Sequence, residues 1–172
     1  MDFFILTVRR ISQICGIASA AALAGAVLIV CQMVVIRYLL NSSTVWQTEF
    51  VIYSLVAATF IGCPYVLLHR GHVNVDLLPL YLHHRQRVIL ALVVSVLSLL
   101  FCLVLSYTGL ELFLDAYLNN WRTDTVWELP LWIPYITLPV GMGLLSLQYV
   151  ADILCISTGR DMPFGLKPED RP

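Results

Sequence analysis

Four stretches of this 172-residue chain, 11–36, 50–68, 88–110 and 129–151, contain no Asp, Glu, Lys, Arg or His. They run for 26, 19, 23 and 23 residues. A helix needs about 20 apolar residues to cross a hydrocarbon layer of about 30 Å, so the banding predicts an all-α integral membrane protein with four transmembrane helices. Over the whole chain only 12% of residues are charged and 59% are hydrophobic, against about 25% and 45–50% in soluble domains. The net charge of −1 supplies no basic field to hold phosphates, so nucleic acid is not expected as a partner. What lies between the spans is too short for a soluble domain. The expected organisation is one four-helix domain over 1–155, with a cytoplasmic tail over 156–172. The first apolar run far exceeds a 7–15-residue signal core and reads as a retained anchor.

An even number of spans puts both termini on one side. Arg9, Arg10, Arg70, Arg85, Arg87, Arg160, Lys167 and Arg171 fall on that side, and only Arg37 and Arg122 on the other. The positive-inside rule then makes the termini and the 69–87 loop cytoplasmic. All four tryptophans (Trp46, Trp121, Trp127, Trp132) fall at the outer ends of spans, where indoles favour the headgroup layer. The five cysteines are scattered without a CxxC pair and read as small packing residues.

Residues 1–10 read as a short interfacial segment ahead of the first span, with Phe3, Phe4, Ile5 and Leu6 in the headgroup layer and Arg9 and Arg10 toward anionic lipid. In that span Gly16, Ala20, Ala24 and Ala18, Ala22, Ala26 recur every four residues and suggest a close-packing face. In the outer hairpin, Thr44 and Gln47 have capping-box spacing at the start of the second span. Arg37 ends the first span and Glu49 follows the box. Both suit the helix dipoles, and the hairpin brings them together as a candidate ion pair. On the inner side Gly62 and Pro64 precede a loop with Gly71, His72, Val75 and Asp76. This basic loop, which ends in His83, His84, Arg85 and Arg87, reads as facing lipid or a partner.

The third span carries a stripe of Ser95, Ser98, Cys102, Ser106 and Gly109 at steps of three and four, a face suited to packing on another helix. Glu111 and Asp115 beyond it read as a solvated pair. Pro130 and Pro134 suit the first turn of the fourth span, and Pro139 is placed to kink it.

A carrier usually shows ionisable residues at mid-membrane depth. Here every charged group and histidine lies outside the charge-free stretches. No catalytic constellation appears, no metal-ligand spacing is present, and no cofactor is implied. The chain therefore reads as a non-enzymatic membrane subunit that supports chemistry done elsewhere. Two other readings stand beside it. One is a four-helix redox or metal-binding subunit using His69, His72, His83 and His84. The other is a small self-dimerising exporter, although Glu49 lies at the edge of a span rather than inside one.

Several motifs occur in a telling order: Arg37-Tyr38, Trp46-x-x-Glu49, Gly62, Gly71-His72-Val73-x-Val75-Asp76, and Leu129-Pro130-x-Trp132-x-x-Tyr135-x-x-x-Pro139. Together they resemble the small membrane subunit (DctQ-like) of tripartite ATP-independent periplasmic (TRAP) transporters, over about residues 10–155. The resemblance implies a bacterial inner-membrane protein in a stable heterodimer with a large membrane subunit that holds the substrate and sodium sites. It implies a transient periplasmic binding protein delivering an organic anion, a carboxylate or sialic acid, and a small subunit that braces the carrier within the lipid. On these positions Arg37, Trp46 and Glu49 would structure the outer hairpin, and Gly71, His72, Val75 and Asp76 the inner loop. No substrate-binding residue carries over.

Overall fold

The computed structural model describes residues 2–69 and 84–158. Among the described residues four helices are long and apolar enough to cross a membrane. Helix α1 is Asp2–Leu39, α2 is Val45–Leu68 and α3 is His84–Leu118. The fourth span is divided into a short α4, Trp132–Tyr135, and α5, Thr137–Ser157. Among the described residues no strand forms beyond a single bridge between Arg122 and Pro130.

The expected interfacial segment 1–10 is not separate. It forms the first turns of a 38-residue α1, roughly 57 Å long at 1.5 Å per residue. Ile5, Val8, Ser12 and Cys15 are buried at steps of three and four, so these turns are held by tertiary packing.

Helix α1 packs along α2, α2 along α5, and α3 along α5, with a smaller α1–α5 contact. Helix α5 is thus central, and its buried face runs through Gly141, Met142, Leu145, Ser146, Gln148, Ala151 and Cys155.

Small residues set these contacts. A side chain at Gly16 would collide with the Tyr65 ring, and one at Gly62 would lie 2.7 Å from Ser19 Oγ. Ser19 in turn donates to the Ala58 carbonyl at 2.7 Å. The α1 face therefore runs through Ser12, Cys15, Gly16, Ser19, Ala22 and Ala26, whereas Ala18, Ala20 and Ala24 are exposed. Neither every-four series forms the face, because a strict step of four drifts about 40° per step on a 3.6-residue helix. The α3 stripe does pack within the chain. Cys102 joins Met142 and Leu145 in a core, Ser106 Oγ donates to the Pro139 carbonyl at 3.1 Å, and Gly109 lies against Leu138 and Pro139.

The prolines divide the helices. Helix α2 continues through the buried Pro64. Pro64 has no amide to donate to Phe60 O, and the Phe60 carbonyl is the group that Gly141 of α5 packs against. Pro139 does not kink a continuous helix. It sits in the first turn of α5, and the break falls at Ile136. A proline there cannot donate to the carbonyl of Tyr135 and crowds it, so the helix restarts just before it. Pro130 lies ahead of α4 in the bridge with Arg122 rather than in a first turn, whereas Pro134 is inside α4.

Candidate functional site

The helices have apolar midsections and a polar group of residues at each end. At the end shared by the termini, Ser12 Oγ of α1 donates to Gln148 Oε1 of α5 at 2.9 Å. Gln148 Nε2 donates onward to Asp152 Oδ1 at 3.0 Å. Gln148 is fully buried, and Arg87 at the start of α3 is 1% exposed. A basic residue expected in a surface loop is thus inside the packing. A buried guanidinium is retained only where partners offset its desolvation. His69 caps α2 with its ring edge-on to Tyr65, centroids 4.3 Å apart.

Gly71, His72, Val75 and Asp76 lie outside the described residues, as do Arg70 and His83. Among the described residues no group of three or more His, Cys, Asp or Glu is gathered. All five cysteines are free thiols.

At the opposite end the four tryptophans cluster with the loops. Trp46 meets Trp127 with ring centroids 6.4 Å apart, and Tyr117 meets Trp132 edge-on at 6.0 Å. Residues 119–131 form a compact turn. Leu131 N donates to Trp121 O at 2.9 Å, Thr123 N to Leu129 O at 3.1 Å, and Leu129 N to Thr123 Oγ1 at 3.0 Å. Glu128 holds a left-handed φ of 47° in this turn and pairs with Arg122 at 3.6 Å, both side chains being exposed. Glu111 and Asp115 are exposed.

The expected hairpin pairings do not form. Thr44 is the N-cap of α2 as the sequence suggested, but its side chain makes no cap hydrogen bond. Glu49 is 8% exposed and neither carboxylate oxygen has a partner, while Arg37 is exposed. Helical phase gives the reason. Glu49 and Phe60 are three turns apart and share a face, and Phe60 faces Gly141 of α5. Gln47 and Ala58 share the face toward Ser19 of α1 by the same count. The Glu49 side chain therefore points away from the helix that carries Arg37. A mainly apolar groove of about 380 Å³ lies between α1, α2 and the 127–137 segment, lined by Ala22, Tyr53, Trp127, Pro134 and Thr137 among others.

The decisive observation comes from comparison. Residues 26–159 match the family described as tripartite ATP-independent periplasmic transporters, DctQ component. The chain belongs to the DctQ family. It is 26% identical, over 148 residues, to the C4-dicarboxylate TRAP transporter small permease protein DctQ of Vibrio cholerae, covering 74% of this chain and 64% of that protein. It is 25% identical over 112 residues to the isethionate TRAP transporter permease protein DctMQ of Oleidesulfovibrio alaskensis, covering 65% of this chain and 18% of that one. The chain thus spans just under two thirds of the first relative and under a fifth of the second. No solved structure matches it.

The DctQ match contains Arg37, Trp46, Glu49, Gly62, Pro130, Trp132, Pro139 and Gln148, and begins after Ser12. The sequence reading assigns no role to Ser12 or Gln148 and places Arg87 in a basic surface loop. The available signal was that Ser12 and Gln148 are hydrogen-bonding side chains inside charge-free stretches, where an unpaired polar group is costly.

Proposed function

We propose that this DctQ-family chain is the small membrane subunit of a sodium-coupled, binding-protein-dependent TRAP uptake system for organic anions, carboxylates or sialic acid, in a bacterial inner membrane. It forms one four-helix domain with cytoplasmic termini and a tail over 156–172. It braces a large carrier subunit in a stable heterodimer and is visited by the periplasmic binding protein. The observation that supports this reading is the distribution of charge. The midsections of all four spans carry no Asp, Glu, Lys, Arg or His, so coupling-ion and substrate chemistry falls to another chain. The relative named DctMQ, in which the matched part is 18% of the protein, fits a small segment joined to a larger permease segment. Motif residues at the hairpin, Arg37, Trp46 and Glu49, and in the inner loop, Gly71, His72, Val75 and Asp76, are proposed to shape the surfaces that meet these partners.

Co-purification of the tagged chain from its native membrane tests the proposal. A large multispanning protein is expected at equal stoichiometry, and proteoliposomes need both proteins plus the binding protein for sodium-dependent uptake. Transport by this chain alone would overturn the reading in favour of an exporter.

A further inference from the structure

Among the described residues, four buried side-chain polar atoms have no hydrogen-bond partner: Thr44 Oγ1, Gln47 Oε1 and both oxygens of Glu49. All lie within one and a half turns at the start of α2. Thr44, Gln47 and Glu49 are 7%, 4% and 8% exposed. Elsewhere the buried polar side chains are served within the chain: Ser12 by Gln148, Ser146 by the Met142 carbonyl, and Gln148 by both Ser12 and Asp152. The orphaned atoms therefore mark one place rather than a general looseness.

A carboxylate removed from water without a donor is unfavourable. Protonation does not resolve this, because a carboxylic acid also needs a partner. The chain's own cations at this end are turned elsewhere. Arg37 is exposed and Arg122 pairs with Glu128. The turn thus presents acceptors without a donor. Around it stands a collar of apolar side chains: Val45, Trp46, Phe50 and Ile52 are 40%, 42%, 38% and 52% exposed. An apolar collar around an unneutralised carboxylate suits a packed protein surface bearing one cation. A guanidinium is the best match, since it is weakly hydrated and offers five donors to several acceptors at once.

We propose that a cationic side chain of the large membrane subunit docks at the first turns of α2 and donates to Glu49. The proposal rests on the small-subunit reading above and assigns it a contact point. Both oxygens are buried in the lone chain, so docking requires the Glu49 carboxylate to turn outward.

The test uses opposite signs in two measurements. Glu49→Leu and Glu49→Gln are made in the full chain. Thermal unfolding of the lone protein in detergent is followed, together with the amount of large subunit retained when the chain is purified from native membranes. The lone variants are expected to melt at or above the wild-type temperature, because a buried orphan charge has gone. Retention of the large subunit is expected to fall at least tenfold for Glu49→Leu. A photocrosslinker at position 46 should capture a large-subunit segment containing Arg or Lys, and reversal of that residue to Glu should rescue Glu49→Lys. Loss of stability in the lone Glu49→Leu protein would mean that Glu49 acts within the chain, and unchanged retention would mean that water or lipid satisfies it. Either result overturns the proposal. Absence of any large subunit from the wild-type preparation would instead bring down the small-subunit reading itself.

Discussion

Ser12 and Gln148, 136 residues apart, share a buried 2.9 Å hydrogen bond that joins α1 to α5. Gln148 then holds Asp152 at 3.0 Å, so one amide side chain satisfies groups on both sides. Near this bond, the first turns of α1 extend past what a span needs. The bond ties this part of α1 to the central helix.

Ser12→Ala leaves Gln148 Oε1 without its donor and should cost about 1 kcal/mol, in the range of buried hydrogen bonds and of side-chain bonds between membrane helices. Gln148→Leu should cost more, since Asp152 also loses a partner. The double variant should be less destabilising than the sum. Denaturant titration of the purified protein in detergent measures all three, and strict additivity would show that the bond carries no energy.

Gly141 and Gly25 should respond oppositely to alanine. A Cβ at Gly141 would meet the Phe60 backbone, its carbonyl carbon lying 2.6 Å away, and backbone cannot step aside. Gly141→Ala should separate α2 from α5 and destabilise by about 2 kcal/mol, as overpacking does. Gly25 has nothing within 4 Å. Gly25→Ala should be neutral or up to about 1 kcal/mol stabilising in the lone chain, from helix propensity. Parallel thermal melts decide between these signs.

Arg37→Ala and Glu49→Gln should act independently on the stability of the lone chain, because α2 turns Glu49 toward α5 and leaves Arg37 exposed. A double-mutant cycle should give a coupling energy within about 0.5 kcal/mol of zero. A larger coupling would restore the hairpin ion pair that the sequence suggests.

Val126, 93% exposed at the tip of the 119–131 turn, reports the orientation. In a background with the five native cysteines replaced, Val126→Cys should be labelled in intact cells by a membrane-impermeant maleimide. Labelling only after lysis would reverse the proposed topology.

The exposed Arg122–Glu128 pair should contribute almost nothing, as exposed pairs generally do. Glu128→Gly removes that pair but relieves a left-handed backbone. The variant should therefore melt no lower than wild type, which differential scanning measures directly.

Much of the molecule could be read without coordinates. The four spans follow from where charge is missing, because water-seeking side chains cannot sit at mid-membrane. The tryptophan layer follows from indole chemistry. The α3 stripe from Ser98 to Gly109 packs as its spacing suggests, since small residues at steps of three and four can meet only another helix. The candidate site was less legible. Arg37, Trp46 and Glu49 were found as a group, but their pairing was not, because sequence proximity in a hairpin does not say which way each helix is rotated. The Thr44–Gln47 spacing located the helix start and not its bonds. Arg87 looked like a surface cation because its burial depends on helices distant in sequence.

By itself, then, the sequence determined that this is a four-span membrane protein whose span midsections carry no charge. Transfer free energy acts residue by residue, and a count along the chain captures it. Only the tertiary structure decided that α5 is central, that Ser12 and Gln148 close one end, and that Glu49 is buried and unpartnered at the other. Those outcomes depend on the rotation of each helix about its axis, which is set by the close approaches at Gly16, Gly62 and Gly141 rather than by hydropathy.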